Sequence, residues 1–135
     1  MEQLLSCWVE KKKRNKFYSL FSEWDRRWLT CDNKNITIYT EQHIVSHVIP
    51  IIYMESITPF EDLEFIITVK ERSFTLRTNN KEQRDHCVFV ITTLKTKIER
   101  EKAERLKKAN DEINHYIASL HPESILNHFR SNSYK

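Results

Sequence analysis

The spacing of apolar residues changes once in this chain, near Asn79, and that change constrains the fold more than any other feature. Before Asn80, short runs rich in β-branched and aromatic residues alternate with polar clusters. This spacing is typical of an all-β sandwich or barrel. From Lys81 onward, apolar residues recur at every third or fourth position, which is the period of an amphipathic helix. The sequence therefore predicts a mainly β domain followed by one C-terminal α-helix.

Seven strands are predicted in the β region. They cover residues 4–11, 24–31, 36–40, 48–53, 56–58, 64–70 and 72–78. A polar turn at 32–35 joins the second and third strands, since Asp and Asn tolerate the left-handed conformations of tight hairpins. Pro50 indicates an edge position or a bulge, because proline donates no ladder hydrogen bond. Alternation in the last strand places Phe74 and Leu76 on one face.

The predicted helix is longer than a domain of this size requires. Asn79 and Glu82 resemble a capping box at its start. No breaker occurs before His121 and Pro122, so the helix covers about 39 residues, or roughly 58 Å. Residues 99–108, EREKAERLKK, have few apolar groups on any face, and we expect the helix to leave the domain there. The predicted division is a domain at 1–98, a helical extension at 99–120, and a short helix with a frayed tail at 121–135.

A second apolar stripe appears beyond the charged segment, with the spacing of about two heptads. It consists of Leu106, Ala109, Ile113, Tyr116, Ile117 and Leu120. One interpretation is a partner-binding helix that lies in a groove of another protein. The alternative is a free helix stabilised by pairs four residues apart, such as Glu101 with Arg105.

Composition excludes several classes of protein. The chain has no glycine, which excludes the glycine-rich loops that hold nucleotide phosphates. A net charge of +3 gives no global field for nucleic acid, so no nucleic-acid partner is expected. The three cysteines are far apart and form no CxxC pair, which favours a reducing cytosol over a disulfide scaffold or zinc ribbon. No apolar run approaches the ~20 residues of a transmembrane helix, so membrane contact is expected to be peripheral.

Signals for catalysis or metal binding are weak. His43 and His47 have the spacing of a helical metal pair, but no third ligand accompanies them and the segment resembles a loop. No Ser/His/Asp or Cys/His arrangement can be defended from spacing alone. We therefore expect a non-enzymatic chain without a metal or cofactor.

Four local sequences carry a resemblance to a known family. They are SCWVEK at 6–11, WDRRWL at 24–29, IPI at 49–51 and RSFTL at 72–76. In order and spacing they resemble the strands of a pleckstrin homology (PH) domain, over about Gln3 to Ile98. Cys7 stands where that family usually has glycine, and Cys87 where it has a nearly constant tryptophan. The resemblance implies a seven-stranded sandwich or barrel capped by one helix.

The resemblance also implies a phosphoinositide site between the first two strands. The positions that match the family's basic pattern are Lys11, Asp25 and Arg27, and Asp25 has the wrong sign for a phosphate ligand. The lipid- or phosphate-binding residues predicted on this basis are Lys11, Lys12, Lys13, Arg14, Lys16 and Arg27. Tyr39 is either a ligand contact beside Lys11 or a packing residue.

The loop after the first strand places a basic run before four large apolar residues, Phe17, Tyr18, Leu20 and Phe21. This pairing suits insertion into an anionic membrane surface. Alternatively, the four residues pack against the barrel or a partner. Two hypotheses follow: a peripheral membrane adaptor, or a protein-binding structural subunit. Either is expected in the cytoplasm, at a membrane or a cytoskeletal assembly.

Overall fold

Seven antiparallel strands and one long helix form the chain in this computed structural model, which describes residues 2–14 and 22–120. The strands are β1 (Leu5–Lys12), β2 (Trp24–Cys31), β3 (Asn35–Tyr39), β4 (Val45–Pro50), β5 (Met54–Phe60), β6 (Glu64–Val69) and β7 (Arg72–Arg77), and the helix is α1 (Lys81–Ser119). They form one sheet in the order β4-β3-β2-β1-β7-β6-β5. Because β4 and β5 are its two edges, the sheet is open and not a closed barrel. Seven strands before one C-terminal helix confirm the predicted fold class.

The predicted turn between β2 and β3 forms, but without the left-handed backbone expected of its Asp and Asn residues, since positive φ is found at His43 and Glu61 and not at residues 32–35. Asp32 Oδ1 accepts hydrogen bonds from the backbone N–H groups of Lys34 and Asn35, both at 2.8 Å. A short side chain that bonds to its own backbone two or three residues on stabilises a tight turn without glycine. The predicted bounds of β2 are those observed.

The prediction for residues 48–58 was wrong in detail. β4 begins earlier and ends at Pro50, and a 3-10 turn at Ile51–Tyr53 follows. The backbone N–H of Ile51 donates to Lys34 O at 2.9 Å, and the Ile51 side chain is fully buried. This apolar run therefore anchors a corner of the sheet and does not extend the strand. β5 is then a full seven-residue strand, where a short one was expected.

The hydrophobic core lies between one face of the sheet and one stripe of α1. Phe74 and Leu76 are both buried, as the alternation in β7 predicted. On the helix, the buried positions are Cys87, Ile91 and Leu94, together with Arg84. Val88 and Ile98, which have the same spacing of three and four residues, are only partly buried.

The helix begins at Lys81, but its cap differs from the predicted one. Asn80 Oδ1 accepts a hydrogen bond from the Gln83 N–H at 2.7 Å. Asn80 is therefore the N-cap, in place of the Asn79–Glu82 box, and it satisfies one of the free N–H groups of the first turn.

Two cations attach α1 to the β5 side of the sheet. Arg84 Nη1 donates to the carbonyl oxygens of Glu61 and Glu64, at 2.8 and 3.0 Å. Lys95 Nζ donates to the carbonyl oxygens of Met54 and Glu55, at 2.6 and 3.0 Å. Charge-assisted bonds of this kind compensate for partial burial of the cations.

The chain divides into two compact units, Met1–Glu99 and Arg100–Lys135. Within the second unit, every residue that the structure describes, up to Leu120, is exposed. The short helix predicted within 121–135 lies outside the described residues. No described helix combines the length and the apolar content needed to cross a membrane.

Candidate anion-binding site

The core-facing row of β1 and β2 ends in charged side chains. Along β1, Cys7 and Val9 are buried on the inner face, and Lys11 follows in the same row. On β2, Arg27 lies opposite Val9 and Asp25 lies opposite Lys11. Alternation therefore brings the three residues that matched the predicted basic pattern to one end of the inner face.

Two further residues from other strands join this end of the sheet. Arg72 precedes buried Phe74 by two positions on β7, and His47 precedes buried Ile49 by two positions on β4. Arg72 Nη2 lies 3.5 Å from His47 Nε2. The Phe74 ring contacts both residues, with the His47 ring centroid at 5.0 Å and Arg72 Cζ at 4.5 Å. Four strands thus contribute to a single cationic cluster, which we call the basic cluster: Lys11, Arg27, His47 and Arg72.

The members of the basic cluster repel one another. Burial lowers the pKa of Lys11, and the positive charges of Arg72 and Arg27 lower it further, against the opposing effect of Asp25. Burial also lowers the pKa of His47, with further contributions from Arg72, Lys11 and Arg27. The cations that lower the pKa values of Lys11 and His47 create a positive potential that an anion would relieve.

Asp25 offsets part of this potential. One carboxylate oxygen lies 3.6 Å from Lys13 Nζ and the other lies 3.6 Å from Arg27 Nη2. Both separations are ion-pair distances and too long for strong hydrogen bonds. Asp25 therefore neutralises part of the positive charge beside the basic cluster.

Arg27 retains an unused donor. Its Nη1 donates to the Arg26 carbonyl oxygen at 2.8 Å. Its Nε is buried, and within residues 2–14 and 22–120 it finds no hydrogen-bond acceptor. An unsatisfied buried N–H costs about 1–3 kcal/mol, which an anionic ligand that accepts from it would recover.

A cleft of about 110 Å³ adjoins the basic cluster, between the end of β1 and the start of β7. The two strands are paired only at Glu10–Arg77 and Lys11–Leu76, so they separate beyond Lys11. The cationic residues that line the cleft are Lys11, Lys12, Lys13, Arg14 and Arg72, and no described lining residue is acidic. Its size suits a phosphate group, being well below that of pockets for drug-sized ligands.

Solved structures with this architecture were found at low sequence identity. The N-terminal PH domain of human ARAP2 is 18% identical with a TM-score of 0.60, and the similarity covers 69% of this chain and 79% of that one. The chain has a PH-like fold. The PH domain of human oxysterol-binding protein-related protein 11 is 15% identical, with a TM-score of 0.57 and coverage of 70% and 81%. The Slm1 PH domain in complex with inositol-4-phosphate is 6% identical, with a TM-score of 0.55 and coverage of 70% and 97%. No protein-family model and no curated protein sequence matches this chain significantly.

The predicted lipid-binding residues lie in different parts of the PH-like fold. Lys11 and Arg27 meet in the basic cluster, while Lys13 and Arg14 line the cleft at the end of β1. Lys12 also lines the cleft, but its Nζ lies 6.0 Å from the Trp24 ring centroid. The remaining predicted residues of this loop, Lys16, Phe17, Tyr18, Leu20 and Phe21, lie outside the described residues.

Tyr39 does not join the basic cluster. It lies opposite Trp28 on β2, next to buried Ile38, so alternation places it on the outer face of the sheet. Lys11 belongs to the inner face. Of the two interpretations of Tyr39, the structure therefore favours packing over ligand contact.

Sequence reasoning missed Arg72 and His47 as site residues. Arg72 was considered only as part of a strand motif, although its place two positions before Phe74 could have put it on the inner face. His47 was considered only as half of a metal pair with His43. His43 lies in the loop before β4, with its ring centroid 6.1 Å from that of Trp8. The described part of the chain contains no group of three potential metal ligands.

The predicted partner-binding stripe of α1 is accessible. Leu106, Ile113, Tyr116 and Ile117 are each more than half exposed, and Leu120 is 37% exposed. Ala109 is exposed as well. The charged segment before this stripe has the character predicted for a solvated helix.

Proposed function

We propose that this PH-like domain is a non-catalytic binding module whose basic cluster receives a phosphorylated, polyanionic group such as an inositol phosphate. The observation that carries the proposal is the convergence of Lys11 and Arg72 at a cleft with no acidic lining among the described residues, with Arg27 near enough to Lys11 to lower its pKa. The Slm1 PH domain, which has the same fold, has been solved with inositol-4-phosphate.

The chemistry of the cluster suits phosphate. An arginine side chain can donate two hydrogen bonds to one phosphate group. The Nε of Arg27 is buried and lacks a hydrogen-bond partner in the described chain. The nearby Asp25 carboxylate repels the same ligand, so we expect moderate affinity with strong salt dependence. Lys12, Lys13 and Arg14 extend the positive surface, and each cation near an anionic leaflet contributes about 1 kcal/mol.

Two binding assays test the proposal. Calorimetric titration with soluble inositol 1,4,5-trisphosphate measures the site itself, and co-sedimentation with phosphatidylinositol-phosphate vesicles at low and high salt measures membrane attachment. The Lys11→Gln/Arg72→Gln variant is expected to lose at least tenfold in affinity, equivalent to about 1.4 kcal/mol. Lys97→Gln/Arg100→Gln removes the same charge from exposed helix positions and serves as the matched control.

The outcomes separate the possible sources of phosphate. Binding of the soluble headgroup alone assigns a free inositol phosphate as ligand, and binding of vesicles as well assigns a lipid surface. Equal binding by the site variant and its control would refute the proposed site.

A second candidate function rests on the exposed stripe of α1. We propose that Ile113, Tyr116 and their neighbours enter an apolar groove on a different protein. Cross-linking with a photoreactive residue at position 109 would identify the partner, and the purified pair would then be titrated. Ile113→Asp/Tyr116→Asp should abolish that binding, while Lys11→Gln/Arg72→Gln should leave it intact. Concentration-dependent dimerisation of the chain alone, abolished by the same double variant, would instead assign the stripe to self-association.

A further inference from the structure

We infer that binding of a phosphate group at the basic cluster is coupled to uptake of a proton by His47, so that this site binds more tightly as pH falls. The inference rests on the proposed function, because it assigns a role to one residue of the same site. It makes His47 a ligand-contacting residue whose charge depends on occupancy.

His47 is in contact with Arg72. Arg72 Nη2 lies 3.5 Å from His47 Nε2, and a guanidinium group can only donate. Any hydrogen bond between them therefore requires the neutral imidazole with its proton on Nδ1. Protonation of Nε2 would direct two donors at each other, so the empty site favours neutral His47.

The charges around the imidazole also favour its neutral form. β1 contributes Lys11, β2 contributes Arg27, and β7 contributes Arg72, and each of these cations lowers the pKa of His47. The neighbouring position on β3 is the apolar Ile38. Asp25 lies at the same end, with its carboxylate beside Lys13 and Arg27, and Glu71 precedes Arg72 in the turn before β7. The charged groups that act on the pKa of His47 are thus all cations.

A phosphate dianion reverses this balance. It attracts the Arg72 guanidinium, which releases Nε2 from its acceptor role, and it stabilises a positive imidazolium by direct attraction. His47 can then donate from Nε2 to a phosphate oxygen. The Phe74 ring supports both side chains, at 5.0 Å from the His47 ring and 4.5 Å from Arg72 Cζ, so little reorganisation is needed.

Thermodynamic linkage between proton binding and phosphate binding limits how strongly the affinity depends on pH. If the ligand favours protonated His47, protonation favours the ligand by the same factor. One coupled proton changes the affinity by at most about tenfold per pH unit, between the pKa values of the free and bound states. Ligand phosphates themselves lose charge near pH ~6, which opposes the effect, so the comparison must be made against a variant.

His47→Gln isolates the contribution of His47. Glutamine keeps an acceptor for Arg72 and cannot be protonated. His43→Gln is the control, since His43 neighbours Trp8 and not the cluster. Calorimetry with inositol 1,4,5-trisphosphate at about pH 6 and about pH 8, in two buffers of different ionisation enthalpy, measures both affinity and proton uptake. A parallel arm uses phosphatidylinositol-phosphate vesicles to separate the lipid surface from the free headgroup.

Going from about pH 8 to about pH 6, we expect the affinity of the wild-type domain to rise about threefold to tenfold more than that of His47→Gln. Proton uptake should accompany binding in wild type and His43→Gln and disappear in His47→Gln. Identical pH profiles in all three proteins would overturn the inference and leave the proposed function standing. Absence of headgroup and vesicle binding at every pH would instead refute the proposed function. NMR titration of the His47 ring should show its pKa rising on saturation with ligand.

Discussion

Cys7 Sγ lies 3.6 Å from Cys87 Sγ, in the buried contact between β1 and α1. Both residues are free thiols. These are the two positions at which the sequence departs most clearly from the PH pattern, where glycine and tryptophan are usual. In this chain the two side chains share one buried space between β1 and α1, so a change of size at either position affects the other.

We expect Cys7 and Cys87 to be energetically coupled. Cys87→Trp alone should lower the free energy of unfolding by about 1–3 kcal/mol or more, because Cys87 is fully buried against Cys7. Cys7→Gly in the same chain should relieve much of that loss, and Cys7→Ala should relieve less. Urea denaturation of the single and double variants measures the coupling. If the changes in the free energy of unfolding of the single variants simply add up in the double variant, the two positions are not coupled.

Asp25 should limit the affinity of the basic cluster. Asp25→Asn removes the carboxylate that lies 3.6 Å from both Lys13 and Arg27. Titration with inositol 1,4,5-trisphosphate should show about threefold to tenfold tighter binding, or about 0.6–1.4 kcal/mol. Glu41→Gln makes the same change in net charge at an exposed position and is the control. An equal gain in both variants would attribute the effect to total charge and not to Asp25.

The ligand-free domain should lose stability in mild acid through His47. The folded-state pKa of His47 is lowered below 6.5, so between that pKa and 6.5 the unfolded chain binds more protons than the folded one. The free energy of unfolding should therefore rise with pH through this window. Urea denaturation across the window, repeated with His47→Gln, measures the contribution. If the free energy of unfolding of His47→Gln depends on pH as strongly as that of the wild-type domain, the prediction is wrong.

Glu61 should tolerate glycine. Its φ of 51° lies in the left-handed region, which costs a residue with a Cβ about 1–2 kcal/mol. Glu61→Gly should therefore raise the free energy of unfolding by about 1 kcal/mol, since the bond from Arg84 is to the Glu61 backbone and survives. Asp62→Gly, one residue on, should be neutral or destabilising, because positive φ is not found there. Thermal denaturation compares the two variants.

Local patterns accounted for most of the fold. The alternation around Phe74 and the breaker-free stretch from Lys81 were sufficient to predict β7 and α1, because the apolar residues of each element are regularly spaced. The corner at Ile51 was not predictable, since an apolar run has the same pattern in a strand and in a buried turn. In the candidate site, Lys11 and Arg27 were predicted from the resemblance to the PH family. Arg72 and His47 were not, because β4 and β7 are not neighbours in the sheet, and only the folded chain brings these two side chains within 3.5 Å of each other.

Lys95 also occupies backbone groups of the edge strand β5. Edge strands such as β5 expose carbonyl groups that a strand from another molecule can pair with. The first two carbonyls of β5, from Met54 and Glu55, already accept hydrogen bonds from Lys95. Near the other end of β5, Pro59 has no N–H to offer. Lys95 and Pro59 thus leave fewer backbone groups of β5 free to pair with a strand of another molecule, and we expect α1 to limit intermolecular sheet growth at this edge.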